Sequence, residues 1–174
     1  MNSFVASTWG KSLIKNLGKE LKKDPLWFSK SSNIFFGDSK LHLAIFVEPF
    51  LQYMLEGKKT VETRFSINRV APFEKVKKGD YLLLKKTGGP VVGITKVTNV
   101  WFYNIDEESI EFIRRKFGRM ICAEDDDFWE ERSKKMFATL MQVGDVYQFD
   151  PIFIDKKDRR GWVVCSVGDS KNGK

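Results

Sequence analysis

The sequence predicts an α+β fold built on an antiparallel or mixed β-barrel with flanking helices. Several short segments alternate their side chains, as in Leu41-His42-Leu43-Ala44-Ile45-Phe46-Val47, and this is strand periodicity. Helical patterns are few and do not alternate regularly with the strands, which argues against a parallel βαβ sheet. The chain has 174 residues, 42% of them hydrophobic, with 15 Phe and 5 Trp, enough for one domain with a substantial core.

Taken in order, Leu13, Ile14, Leu17 and Leu21 recur at helical spacing between lysines, so residues 1–40 read as an N-terminal basic helical extension. Its helix should end before Asp24-Pro25, and Ser29-Lys30-Ser31-Ser32-Asn33 reads as a loop. This segment either packs on the barrel or serves as an arm toward an anionic or protein partner. The main domain spans 41–167, and 168–174 read as a flexible tail.

Within the main domain, Glu48-Pro49 opens a short helix with Phe50, Leu51, Met54 and Leu55 on its apolar face, ended by Gly57 in a left-handed cap. Lys58–Phe65 should be a strand, followed by a basic connection over 66–79. Gly79-Asp80 then turns into a strong strand at Tyr81–Leu84. Thr87-Gly88-Gly89-Pro90 is a hairpin turn and lacks the spacing of a phosphate loop. Val91–Tyr103 is long enough for one bent strand or two. Asp106 caps a helix carrying Ile110, Ile113 and Phe117 on one face, with Gly118 just after its end. Residues 124–135 form a helix with an acidic start and a basic end. Ala138–Val143, Val146–Phe149, Ile152–Ile154 and Trp162–Val167 read as short strands, the last two flanking a charged tip.

Composition excludes several chemistries. Only Cys122 and Cys165 carry thiols, and His42 is the one histidine, so a Cys/His zinc site and His-dependent nucleophilic catalysis are disfavoured. The pattern calls for no cofactor and no metal; Glu124-Asp125-Asp126-Asp127 fits a helix N-terminus better than a magnesium site. No apolar run approaches the ~20 residues of a membrane span, and no secretory or transit segment is evident, so the expected location is cytoplasmic. The net charge of +7 favours polyanionic partners. Nothing in the sequence fixes an oligomeric state.

Gly57-Lys58-Lys59-Thr60-Val61-Glu62-Thr63-Arg64 resembles the signature Gly-x-Lys-x-x-Glu-x-Arg of the ASCH family. Two further landmarks follow in the family's order, Gly79-Asp80-Tyr81-Leu82-Leu83-Leu84 and Val91-Val92-Gly93-Ile94-Thr95-Lys96-Val97. The resemblance covers roughly residues 41–167. It implies a PUA-like barrel, a fold that holds RNA or modified bases in related domains. Some relatives are amidohydrolases acting on N4-acetylcytidine, and others have been described as ribonucleases, so the resemblance does not imply a single activity.

On an ideal strand Glu62 and Arg64 share a face, so the carboxylate can orient the guanidinium toward a phosphate or a base edge. Lys59 would point to the other face unless the chain is still turning there; the resemblance implies that it reaches the same cleft. In the amidohydrolase relatives the signature lysine is catalytic, with a threonine and a glutamate. These carry over to Lys59, to Glu62 (a departure from threonine) and, loosely, to Glu124. A carboxylate beside Lys59 favours the ammonium form and an anion clamp over a nucleophile. Finally, Lys156-Lys157-Asp158-Arg159-Arg160-Gly161-Trp162 resembles the basic turn and tryptophan that close the domain in a bacterial subgroup of the family. Lys157, Arg159 and Arg160 would follow phosphates while Trp162 stacks on a base, unless Trp162 is core. The expected function is thus a module binding RNA or a nucleotide-like ligand, with hydrolysis of an acylated nucleoside or of RNA as the alternative.

Overall fold

Alternating side chains put apolar groups on both faces of the central strands, and this sets the architecture. The computed structural model describes residue 4 and residues 7–165. The elements are α1 (Thr8–Leu21), α2 (Pro25–Phe36), β1 (Leu41–Phe46), α3 (Phe50–Leu55), β2 (Val61–Ser66), β3 (Tyr81–Lys86) and β4 (Val91–Asn104). They are followed by α4 (Glu107–Ile121), α5 (Asp126–Ser133), β5 (Phe137–Val143), β6 (Tyr147–Ile152) and β7 (Trp162–Val164). The seven strands form one mixed sheet in the order β2-β5-β4-β3-β1-β7, with β6 also paired to β4. Among the described residues, only β1 and β3 run parallel. The sheet curls into a half-barrel with helices on its flanks, the PUA-like architecture expected.

In β1 and β3, Leu41, Leu43, Tyr81 and Leu83 face one cluster, while Ala44, Phe46, Leu82 and Leu84 face another. The first cluster is completed by the N-terminal helices. Leu13, Leu17 and Leu21 of α1 are fully buried there beside Trp27 and Ile34 of α2. Each such leucine contributes about 1.5–3 kcal/mol by leaving water, so the apolar face of this segment is part of the core. The second cluster joins residues of β1, β3, β4 and β5 to Leu51 and Met54 of α3. A third places Ile110, Ile113, Phe117 and Ile121 of α4 against Val61, Ala138 and Leu140 of β2 and β5.

Three local expectations are corrected. Ser29–Asn33 is not a loop but lies within α2: Asp24 accepts from the Trp27 N–H at 2.9 Å and Pro25 opens the helix. Asp24-Pro25 therefore starts a helix as well as following one. Gly118 does not end α4, which runs on to Ile121 and closes on Cys122 in the left-handed region at φ 61°. Ile152–Ile154 is not a separate strand, because Ile152 is the last residue of β6. Val91–Asn104 is one strand, bent where its register shifts between Val91 and Gly93 and between Val97 and Asn99. The tail expected at 168–174, and the end of the strand expected to reach Val167, lie outside the described residues. Among the described residues, no helix is long and apolar enough to cross a membrane.

Candidate functional site

The signature segment leaves α3 and enters β2. Gly57 adopts φ +71°, a conformation that glycine takes without a Cβ penalty. The chain is still turning at Lys59, whose N–H donates to the Tyr53 carbonyl at 3.0 Å, while that of Thr60 donates to Met120 at 2.9 Å. Strand alternation therefore does not govern Lys59. Its ammonium lies 3.4 Å from Glu62 Oε2, on the same side as Glu62 and Arg64.

This centre is tightly bonded. Lys59 is 2% exposed, and Nζ also donates to the carbonyls of Val61 at 2.9 Å and Ile121 at 3.0 Å. Burial pushes its pKa below the usual lysine value, against the opposing pull of the Glu62 carboxylate. Glu62 Oε1 accepts from Arg64 Nε at 2.7 Å. The Arg64 guanidinium donates through Nη2 to Ile45 O at 2.9 Å and through Nη1 to Gly161 O at 3.2 Å. It lies between two rings, with Cζ 5.2 Å from the Phe46 centroid and 5.4 Å from that of Trp162.

These three residues line one open cavity of about 350 Å³, within the lower part of the range for small-ligand sites. Phe50, Phe65 and Phe128 supply aromatic wall. Phe50 of α3 and Phe128 of α5 touch, with centroids 5.9 Å apart. The remaining charged lining is Glu131, Arg132 and Lys135, from α5 and the turn after it. Arg132 Nη1 donates to Glu131 Oε2 at 2.6 Å, and its guanidinium sits 4.1 Å from the Phe128 centroid.

The other predicted site residues lie elsewhere. Glu124 borders a separate depression with Arg114, Arg115 and Arg119, so Lys59, Glu62 and Glu124 do not line one cavity. Trp162 offers no face to a base: it is 6% exposed, and its indole N–H donates to His42 Nδ1 at 3.1 Å. Lys157 and Arg160 pair with neighbouring acids, Lys157 with Asp155 at 3.5 Å and Arg160 with Asp158 at 2.9 Å. Neither they nor the exposed Arg159 line the cavity. The acidic run is helix-capping chemistry, since Asp125 Oδ1 accepts from the Asp127 N–H at 2.9 Å and Asp126 pairs with Arg114. Among the described residues, no group of three or more His, Cys, Asp and Glu side chains is gathered to hold a metal ion. The wall residues Phe50, Phe128, Arg132 and Lys135 were not anticipated as site residues. In the sequence only Phe50 stands near the signature, on the short helix just before it, while Phe128, Arg132 and Lys135 lie more than sixty residues further on.

The architecture matches the crystal structure of ASCH from Zymomonas mobilis, with a TM-score of 0.53 and 19% identity over 68% of this chain and 76% of that one. The chain has the ASCH fold. Two single-substitution variants of the same Zymomonas mobilis protein each match with a TM-score of 0.51, at 19% and 20% identity, over 67% and 68% of this chain and 77% of theirs. No family model and no curated protein matches the sequence.

Proposed function

We propose that this ASCH-fold chain is a binding module for a nucleotide, free or within single-stranded RNA. The observation that carries this reading is the convergence of Lys59, Glu62 and Arg64 on one aromatic-walled cavity of about 350 Å³. That volume suits a nucleoside-sized guest, and the half-buried rings of Phe50, Phe65 and Phe128 offer sequence-tolerant contact to a base. The net charge of +7 adds long-range attraction for a phosphate chain. Fluorescence anisotropy with a labelled single-stranded octaribonucleotide of random sequence tests it. We expect binding that weakens from about 50 to 200 mM salt and that loses about 1–3 kcal/mol in Phe128→Ala. Binding indifferent to both salt and Phe128 would remove the reading.

One observation favours a hydrolytic alternative on an acylated nucleoside, namely that burial lowers the pKa of Lys59 at the cavity wall. Against it, the three donors of the ammonium face Val61 O, Ile121 O and Glu62, an arrangement that holds the proton on nitrogen. Glu124 is also outside the cavity lining. Chromatography of N4-acetylcytidine after incubation with the protein separates the two, and we expect the substrate to be recovered intact.

A further inference from the structure

The signature cations lie at the cavity, yet both are already engaged by the protein itself. Lys59 has its three N–H groups directed at Val61 O, Ile121 O and Glu62. Arg64 has five N–H donors, of which three are bound to Glu62, Ile45 and Gly161. Their charges are also largely answered by Glu62, which sits between them. An incoming anion would meet a neutralised, preassembled centre there.

The cations that α5 and its following turn bring to the cavity differ. The Arg132 guanidinium lies 4.1 Å from the Phe128 centroid, and among the described residues only its Nη1 is hydrogen-bonded, to a Glu131 carboxylate that is 65% exposed. Lys135 is half-buried in the cavity lining, and its ammonium has no hydrogen bond or ion pair among the described residues. Compensation of the α5 dipole accounts for Lys134, which caps the helix and pairs with Glu130 at 3.1 Å. It does not account for Lys135, which lies past the cap and lines the cavity.

We propose that Arg132 and Lys135 form the phosphate subsite of this cavity, gripping the phosphate of a nucleotide whose base lies along Phe50 and Phe128. This rests on the nucleotide-binding reading above and assigns its anionic contact to the end of α5 and the turn after it. Lys59 and Arg64 then shape the site from within the protein.

The test uses the full chain and the same labelled octaribonucleotide, with the four nucleosides and the four nucleoside 5′-monophosphates as competitors. The double variant Arg132→Gln/Lys135→Gln should bind at least about tenfold more weakly, with its salt slope reduced by about 0.7, the value for one lost phosphate contact to a single strand. A control pair with the same charge change, Arg115→Gln/Arg119→Gln on α4, should lose less than about twofold, since those side chains lie outside the cavity. Displacement by the monophosphates but not by the nucleosides supports the subsite and makes a free nucleotide its occupant. Dependence on Arg132 and Lys135 without such displacement supports it with a backbone phosphate as occupant. Undiminished binding by the double variant, equal loss in both pairs, or equal displacement by nucleosides overturns the subsite and leaves the function standing. Absence of octaribonucleotide and nucleotide binding by the wild type overturns both.

Discussion

Arg64, on the first strand of the sheet path, donates through Nη1 to the carbonyl oxygen of Gly161, which leads into the last strand. Among the described residues the ladder order contains no pairing of β2 with β7 or β1, so this side chain crosses the open side of the half-barrel. The same guanidinium reaches Ile45 O on β1 and holds the buried Glu62 carboxylate. The signature arginine is therefore a structural link as well as part of the cavity wall.

It follows that Arg64→Ala acts first on stability. Removing the guanidinium leaves Glu62, 4% exposed, with Lys59 as its remaining charged partner. Breaking a buried pair from one side costs about 3 kcal/mol. Urea denaturation should show this loss, and Arg64→Lys should recover little of it, because an ammonium cannot span Glu62, Ile45 and Gly161 at once. A midpoint within error of wild type for Arg64→Ala would contradict the bridging role.

A second buried link fixes a tautomer. The Trp162 indole can only donate, so His42 Nδ1 accepts and the proton sits on Nε2, which donates to Asp80 Oδ2 at 3.0 Å. All three side chains belong to the interior, with His42 and Asp80 at 0% exposure. Trp162→Phe keeps the ring packing but leaves the His42 acceptor without a donor, a loss of about 1–3 kcal/mol. Calorimetric melting of this variant checks the value; an unchanged transition temperature would mean that the bond contributes nothing.

Asp80 gives the fold an acid-sensitive element. Burial alone would raise its pKa, but hydrogen bonds from His42 and from the Lys40 and Lys77 N–H groups outweigh it and hold the carboxyl below the usual range. Since the folded pKa lies below the unfolded value of about 3.9, the stabilisation is fully present above that value. It is lost as pH falls through the folded pKa. Asp80→Asn should thus be less stable than wild type at neutral pH, with the gap narrowing below about pH 4. Chemical denaturation across pH 2.5–7, a window of about 1.5 units below and 3 above the unfolded value, reads this directly, and a constant gap would assign the loss to packing alone.

Much of the fold was legible because strand alternation and helix caps are local. The alternation in β1 and the Asp106 cap both appear in the structure as the sequence had them. Ser29–Asn33 misled because its polar run lies between Trp27 and Ile34, the two residues that α2 buries. Gly118 looked like a stop signal, whereas it is a buried small residue in α4 next to Trp129, a contact made by a later helix. The site divides in the same way. The signature residues are close in sequence and were visible together, but Phe50, Phe128, Arg132 and Lys135 come from α3 and from α5 and its following turn, and only the folded sheet brings them to one cavity. Trp162 looked like a stacking residue because exposure cannot be read from a basic flank; the His42 acceptor that keeps it inside is on another strand.

Lys59 should leave its mark on the alkaline side. Burial lowers its folded pKa, with Glu62 opposing, while the unfolded chain titrates near 10.4. Below the folded pKa both states hold the proton, and no slope results. Between the folded pKa and about 10.4 the unfolded state binds the extra proton, so the contribution of this residue to stability rises with pH. Lys59→Met lacks that rise. Comparing urea midpoints of wild type and Lys59→Met from neutral pH to about 10.4 should therefore show the difference moving in favour of the wild type. A difference that stays flat over that window would mean that the ammonium titrates as freely inside the cavity wall as it does in water.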